Sequence, residues 1–262
     1  MKELFVKRIG NIENSFMITK KLIDIFTPNQ ALQQINNKLI KSNITNNEFT
    51  LNTLNTLNTL KNYKKPKQII IRGKIEEYAQ NLSLTQNNIL GSNDYFYISS
   101  NLNLESNLNQ EKINIPIEET SNEYLGYYNV YILEPNQIFN LNNNKEIGFF
   151  EISIGPQYVD GFLLQEELGD GFYIESHDLP HYYFSSDKNS GGYLVLGEKI
   201  DEGFAITAFE IGPNKHIYIS PYTFHSDAYL VGNYNVIYGK ANNYKTYLFR
   251  KENGSIIKIN CE

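Results

Sequence analysis

The second half of this chain is a close succession of short stretches with strand character. They fall at residues 148–154, 171–177, 193–197, 204–211, 216–220, 227–238 and 244–250, and Gly, Pro or Asn punctuates nearly every gap. Many short strands at regular spacing specify an all-β sandwich or barrel. Aromatic residues make up 13% of the sequence, all of them Tyr or Phe, with no Trp. Aromatic and β-branched side chains fit a pleated, half-buried surface, so composition supports the same reading. Further strands are expected at 68–72, 95–98, 113–115 and 127–133. The Asn- and Ser-rich stretches 99–112 and 118–124 between them read as loops.

The N-terminal part reads differently. Phe16, Ile18, Leu22, Ile23, Ile25 and Phe26 predict a helix over 14–26. Thr27 as N-cap, Pro28 at the first helical position and Gln30 completing a capping box predict a second, to about residue 41. Leu51, Leu54, Leu57 and Leu60 recur every three residues in a Leu-Asn-Thr repeat over 50–60. That falls short of the 3.6 period of an α-helix, so the stripe drifts and predicts a frayed helix or loop. The basic run 61–67, ending Lys65-Pro66-Lys67, reads as a solvated linker. The organisation expected is a helical region over 1–66 and a β-barrel domain over 67–262, with a short helix near 74–81.

At 262 residues the chain can bury a large core, and its net charge of −6 argues against nucleic acid as main partner. No stretch approaches the roughly 18 continuous apolar residues of a spanning helix, so no membrane partner is expected. Residues 1–5 carry charge and no long apolar run, so no signal peptide is expected. The single cysteine, Cys261, excludes an internal disulfide framework and a cysteine-ligated zinc site, and with it a cytoplasmic location is expected.

Candidate chemistry concentrates in 169–181, Gly-Asp-Gly-Phe-Tyr-Ile-Glu-Ser-His-Asp-Leu-Pro-His, which holds two of the four histidines. In a strand, residues two apart share a face, so Glu175 and His177 are neighbours on it, with Tyr173. Pro180 breaks the ladder just before His181. His225 ends a second turn, Pro221-Tyr-Thr-Phe-His. Three imidazoles and a carboxylate suit a divalent transition metal, Fe, Mn, Zn, Ni or Co, with coordination positions left for water or substrate. Asp227, two residues past His225, either orients an imidazole or carries a proton, the alternative being a solvated rim carboxylate. Tyr173, Tyr182, Tyr183 and Tyr222 lie near these residues in sequence, and Tyr183 joins Asp227 as a candidate catalytic group. His216 reads as structural. Glu166 and Glu167 are adjacent and would face opposite ways in a strand, which disfavours a paired-carboxylate hydrolase. No phosphate loop, dinucleotide fingerprint or Ser-His-Asp nucleophile elbow is present.

The spacing of these residues resembles the two motifs of the cupin superfamily. The first runs Gly, five residues, His-x-His, three or four residues, Glu; here Gly169 is followed after five residues by Glu175-Ser-His177 and, three residues on, by His181. The register is kept while the first His and the Glu have exchanged type. In the second, Gly212, Pro221 and His225 take the parts of the Gly, Pro and His. Thr223 lies where the family has a Gly, and the final Asn has no clear counterpart, Asn233 lying further on. The resemblance covers roughly residues 145–250. It implies a double-stranded β-helix, a jelly-roll barrel, with an α-helical N-terminal extension. It also implies Glu175, His177, His181 and His225 as metal ligands, a small polar, oxygen-rich substrate such as a sugar or hydroxy or keto acid, and association as a homodimer. Isomerase or lyase chemistry is favoured, dioxygenase chemistry is an alternative, and a non-catalytic ligand-binding or assembly module is a further one.

Overall fold

The computed structural model describes residues 18–26, 63–77, 92–99, 112–133, 147–166, 169, 171–185, 188–239, 241 and 243–262. The fold is mainly β. In chain order the strands are β1 (Ile18–Phe26), β2 (Ile69–Glu77), β3 (Ser92–Ile98), β4 (Lys112–Ile115), β5 (Ile117–Glu118), β6 (Val130–Leu133), β7 (Ile147–Ile154) and β8 (Tyr173–His177). There follow β9 (His181–Ser185), β10 (Gly191–Ile200), β11 (Gly203–Glu210), β12 (His216–Ile219), β13 (Phe224–Gly239), β14 (Tyr244–Lys251) and β15 (Lys258–Cys261). A single helical turn, α1 (Asn122–Leu125), and a π-helical turn over Val159–Leu163 interrupt them.

The main sheet runs β10-β11-β2-β3-β14-β8-β13-β9-β12-β6, and β10 also pairs with β13. The first seven strands of that order therefore close on themselves, which removes their free edges. β13 is the hinge of the architecture. Its residues 224–231 pair with β10 and β8, and its residues 232–239 pair with β7 and β9. At the changeover Gly232 has φ 105°, and a Cβ there would stand 2.6 Å from the Ser190 backbone. Only glycine fits both demands. Nearer its start β13 carries a bulge: Val195 pairs with Ser226 but Tyr193 pairs with Tyr229, so Asp227 and Ala228 together face one residue of β10.

Two cores flank the closed ring of strands. One is rich in phenylalanine and draws on every strand of the ring, with Ile113, Ile115, Ile257 and Ile259 from β4, β15 and the segment before β15. Phe96, Phe204 and Phe249 meet there with centroids 4.9–5.6 Å apart. The other lies between the ring and the strands β7, β9, β12 and β6. β8 is buried on both faces: Ile174, with Phe172 just before the strand, enters the first core and Tyr173 the second. Alternation carries Glu175 and His177 to the same face as Tyr173.

Several local expectations are corrected. The helix expected over 14–26 is a strand where it is described: β1 lies antiparallel to β7, from Ile18 opposite Ile154 to Phe26 opposite Ile147. A segment rich in Ile and Phe covers an edge of β7 whose backbone groups need partners, and that tertiary pairing outweighs helical spacing. The helix expected at 74–81 is instead, through Glu77, the end of β2. The strand expected over 127–133 starts at Val130, because Asn129 takes the left-handed conformation (φ 58°) that ends the turn Gly126–Tyr128. Residues 63–67 are tied to the fold: the Lys64 N–H donates to the Glu123 carbonyl, the Lys67 N–H to Glu118 Oε2, and Thr207 Oγ1 to the Lys67 carbonyl. The expected helix to residue 41 and the repeat over 50–60 lie outside the described residues. Among the described residues no helix is long and apolar enough to cross a membrane.

Candidate metal centre

Three strands and two turns converge on Glu175, His177, His181 and His225. β8 supplies Glu175 and His177 two residues apart on one face. Asp178-Leu179-Pro180 reverses the chain, and His181 opens β9. β13 meets β8 at the pair His225–Glu175. The four side chains are 0%, 3%, 7% and 0% exposed in chain order. One ligand atom from each lies within 4.8 Å of all the others. The three imidazoles pack against one another, with centroids 4.1 Å (His177–His181), 5.1 Å (His177–His225) and 5.0 Å (His181–His225) apart. Ligands about 2.1 Å from one ion stand roughly 3.0–4.2 Å from each other, so small side-chain adjustments bring this set onto a common centre.

The hydrogen bonds behind the ligands decide which nitrogens face inward. His225 Nδ1 lies 3.0 Å from the Thr223 carbonyl, which only accepts, so Nδ1 carries a proton. Its Nε2 is then the lone-pair atom of the neutral ring, and it stands 3.5 Å from Glu175 Oε1. A carboxylate oxygen facing an imidazole lone pair at full burial is unfavourable unless a cation, a proton or a metal ion, lies between them. Burial pushes the His225 pKa down, but the Glu175 carboxylate outweighs it, helped by the Thr223 carbonyl and the Asp227 charge, and the net shift is upward.

A second chain fixes His181. The Tyr173 hydroxyl donates to Asp227 Oδ1 (2.6 Å) and the Tyr183 hydroxyl to Asp227 Oδ2 (2.9 Å). Tyr183 has thus committed its proton, and the His181 Nδ1 beside it at 3.1 Å is the donor. His181 Nε2 is then the lone-pair atom of the neutral ring. The bulge in β13 is what keeps Asp227 on this face while Ala228 and Leu230 still reach the core. Tyr244, which sequence reading did not single out, completes the surroundings. Its hydroxyl donates to Glu175 Oε2, and its ring lies within 2° of parallel to His177, centroids 5.9 Å apart. The pairing of Tyr244 with His177 across β14 and β8 brings it there.

Other expected neighbours lie elsewhere. Tyr182 points to the opposite face of β9 and bonds His216, which also stacks on Phe184. His216 is a structural residue of the β9–β12 pair, not a member of the cluster. Tyr222 is 63% exposed in the turn before β13, where its N–H donates to the His177 carbonyl. Asn233 accepts from Ser153 and lies away from the four side chains in the other half of β13. Glu167 and Asp170 are outside the described residues. The chain matches no protein-family model, and comparison with curated proteins finds no match.

Proposed function

We propose that the protein is a metal-dependent enzyme of the cupin type, a double-stranded β-helix acting on a small, polar, oxygen-rich substrate, a sugar or a hydroxy or keto acid. One observation carries the reading: a buried carboxylate and three imidazoles, two of them with tautomers set by hydrogen bonds to place Nε2 inward, meet from three strands. Glu175, His177, His181 and His225 hold the ion. A divalent transition metal at such a centre polarises a carbonyl or lowers the pKa of bound water. Asp227 and Tyr183 serve as positioning residues, since two phenols occupy both carboxylate oxygens and Tyr183 braces His181. Chelation of a hydroxy-carbonyl group favours isomerase or lyase chemistry over dioxygenase chemistry. The single cysteine fits a cytoplasmic location, and the resemblance to cupins extends to pairing of two copies through their sheets.

The test combines elemental analysis of protein purified without a His tag with a turnover screen. Stoichiometric Fe, Mn, Zn, Ni or Co together with isomerisation or elimination of a sugar or hydroxy acid supports the reading. Oxygen uptake by the iron-loaded protein selects the dioxygenase. Wild-type metal content in both His177→Ala and His225→Ala overturns the centre.

The burial of all four donors favours one rival, a non-catalytic module in which the ion staples β8, β9 and β13. Bound metal without turnover, and without ligand-induced stabilisation by sugars or organic acids, selects it.

A further inference from the structure

A cleft of about 660 Å³ opens where β4, β15 and the end of β14 meet the turn Val159–Leu163. Its wall carries Lys112, Lys251, Lys258 and Asp160, with Leu164 and Ile256 as apolar surface. The lysines are brought together by the fold. β4 and β15 are parallel with Lys112 directly opposite Lys258, and their next residues, Ile113 and Ile259, are both buried. Alternation therefore places the two ammonium groups side by side on the outer face. Like charges in that register destabilise a sheet unless something neutralises them. Asp160 reaches one of them, with Oδ1 3.1 Å from Lys258 Nζ, and one carboxylate against three lysines leaves two ammonium groups in excess. Gln165 braces the turn that holds Asp160 by donating its amide to the Asp160 carbonyl at 2.7 Å. This concentration of positive charge occurs on a chain whose net charge is −6.

We propose that the cleft binds a small organic molecule carrying two or more negative charges, a phosphate ester or a dicarboxylate. The lysines act as point charges on the anion, and Leu164 and Ile256 offer contact to its carbon skeleton. The site is separate from the metal centre. Ile113 and Ile259 lie in the phenylalanine-rich core with Ile174 of β8, while Glu175 and His177 leave β8 on the other face.

Calorimetric titration of the full chain with inorganic phosphate and with succinate, at an ionic strength matched by sodium chloride, tests this. Saturable binding of one or both is expected, phosphate alone indicating a phosphate ester and succinate alone a dicarboxylate. Lys112→Gln combined with Lys251→Gln should weaken it at least tenfold. Asp160→Asn, which removes the competing carboxylate, should tighten it several-fold. All three residues are at the surface, and unchanged metal content reports that the fold and the distant centre are intact. Absence of saturable binding for both anions, or wild-type affinity in the double variant, overturns the proposal.

Discussion

Glu175 and His225 face each other across β8 and β13, with Oε1 and Nε2 3.5 Å apart, and neither side chain is exposed. The Thr223 carbonyl holds the other nitrogen of His225 as a donor. The pair is therefore a socket for one positive charge, filled by a proton or by a metal ion.

Removing one partner separates these two occupants. His225→Ala takes away the imidazole and leaves a buried carboxylate. Breaking a buried pair in this way costs about 3–5 kcal/mol. His225→Ala should therefore lower the denaturant midpoint of the metal-free protein markedly. Glu175→Gln, which removes the charge and keeps the shape, should lower it much less. Both should lose bound metal by elemental analysis. Equal destabilisation by the two substitutions would show that packing, not charge, governs the pair.

Proton and metal compete for the same lone pair, so pH should move them in opposite directions. The raised His225 pKa means the folded protein holds this proton more tightly than the unfolded chain does. The stabilisation from the protonated pair is full below the unfolded histidine pKa, about 6.5, and is lost as pH rises through the higher folded value. Metal binding needs the deprotonated ring and strengthens over the same range. The rise in melting temperature on adding zinc should thus be larger at pH 8 than at pH 6. EDTA should reverse it, since a ligand at 100 times its Kd adds about 2.7 kcal/mol. A rise that does not depend on pH would place the metal elsewhere.

Much of this centre was legible from the sequence because strands have a fixed period. Alternation alone put Glu175 beside His177, and Pro180 announced the reversal that returns His181. His225 was reachable through the turn at Pro221, although its pairing opposite Glu175 is a fact of topology. Tyr244 was not legible. It opens a strand 67 positions beyond His177, and its place depends on the register of β14, which no local pattern encodes. β1 misled for the complementary reason: its apolar residues satisfy helical spacing, and only the edge of β7 makes them a strand. The run 61–67 read as a linker, and the bonds that tie its described part, 63–67, to the fold were not legible because Glu118, Glu123 and Thr207 are remote in sequence.

Tyr244→Phe removes the hydroxyl on Glu175 Oε2 while keeping the ring over His177. Loss of a hydrogen bond to a charged group costs roughly 1.5–3 kcal/mol. With that bond in place one carboxylate oxygen is committed, and Glu175 would offer an ion only Oε1. The variant should keep one metal per chain, because all four ligands remain. The cobalt-substituted protein should nonetheless change its visible absorption as Glu175 becomes free to bind through both oxygens. An unchanged cobalt spectrum would limit Tyr244 to packing.

Cys261 offers a check on the far end of the fold that does not involve the centre. Burial pushes its thiol up to about 12, so at pH 8 it is almost wholly protonated. The thiolate is the reactive species. Cys261 sits at the end of β15, where the parallel ladder with β4 pairs it with Ile115. Alkylation by iodoacetamide at pH 8 should therefore be far slower than that of glutathione, and should accelerate in denaturant concentrations that open β15. The rate should be the same with and without metal, because β15 and the Glu175 cluster lie on opposite faces of β8. A native-state rate equal to that of glutathione would mean that β15 does not hold its place against β4, and the register that pairs Lys112 with Lys258 would fall with it.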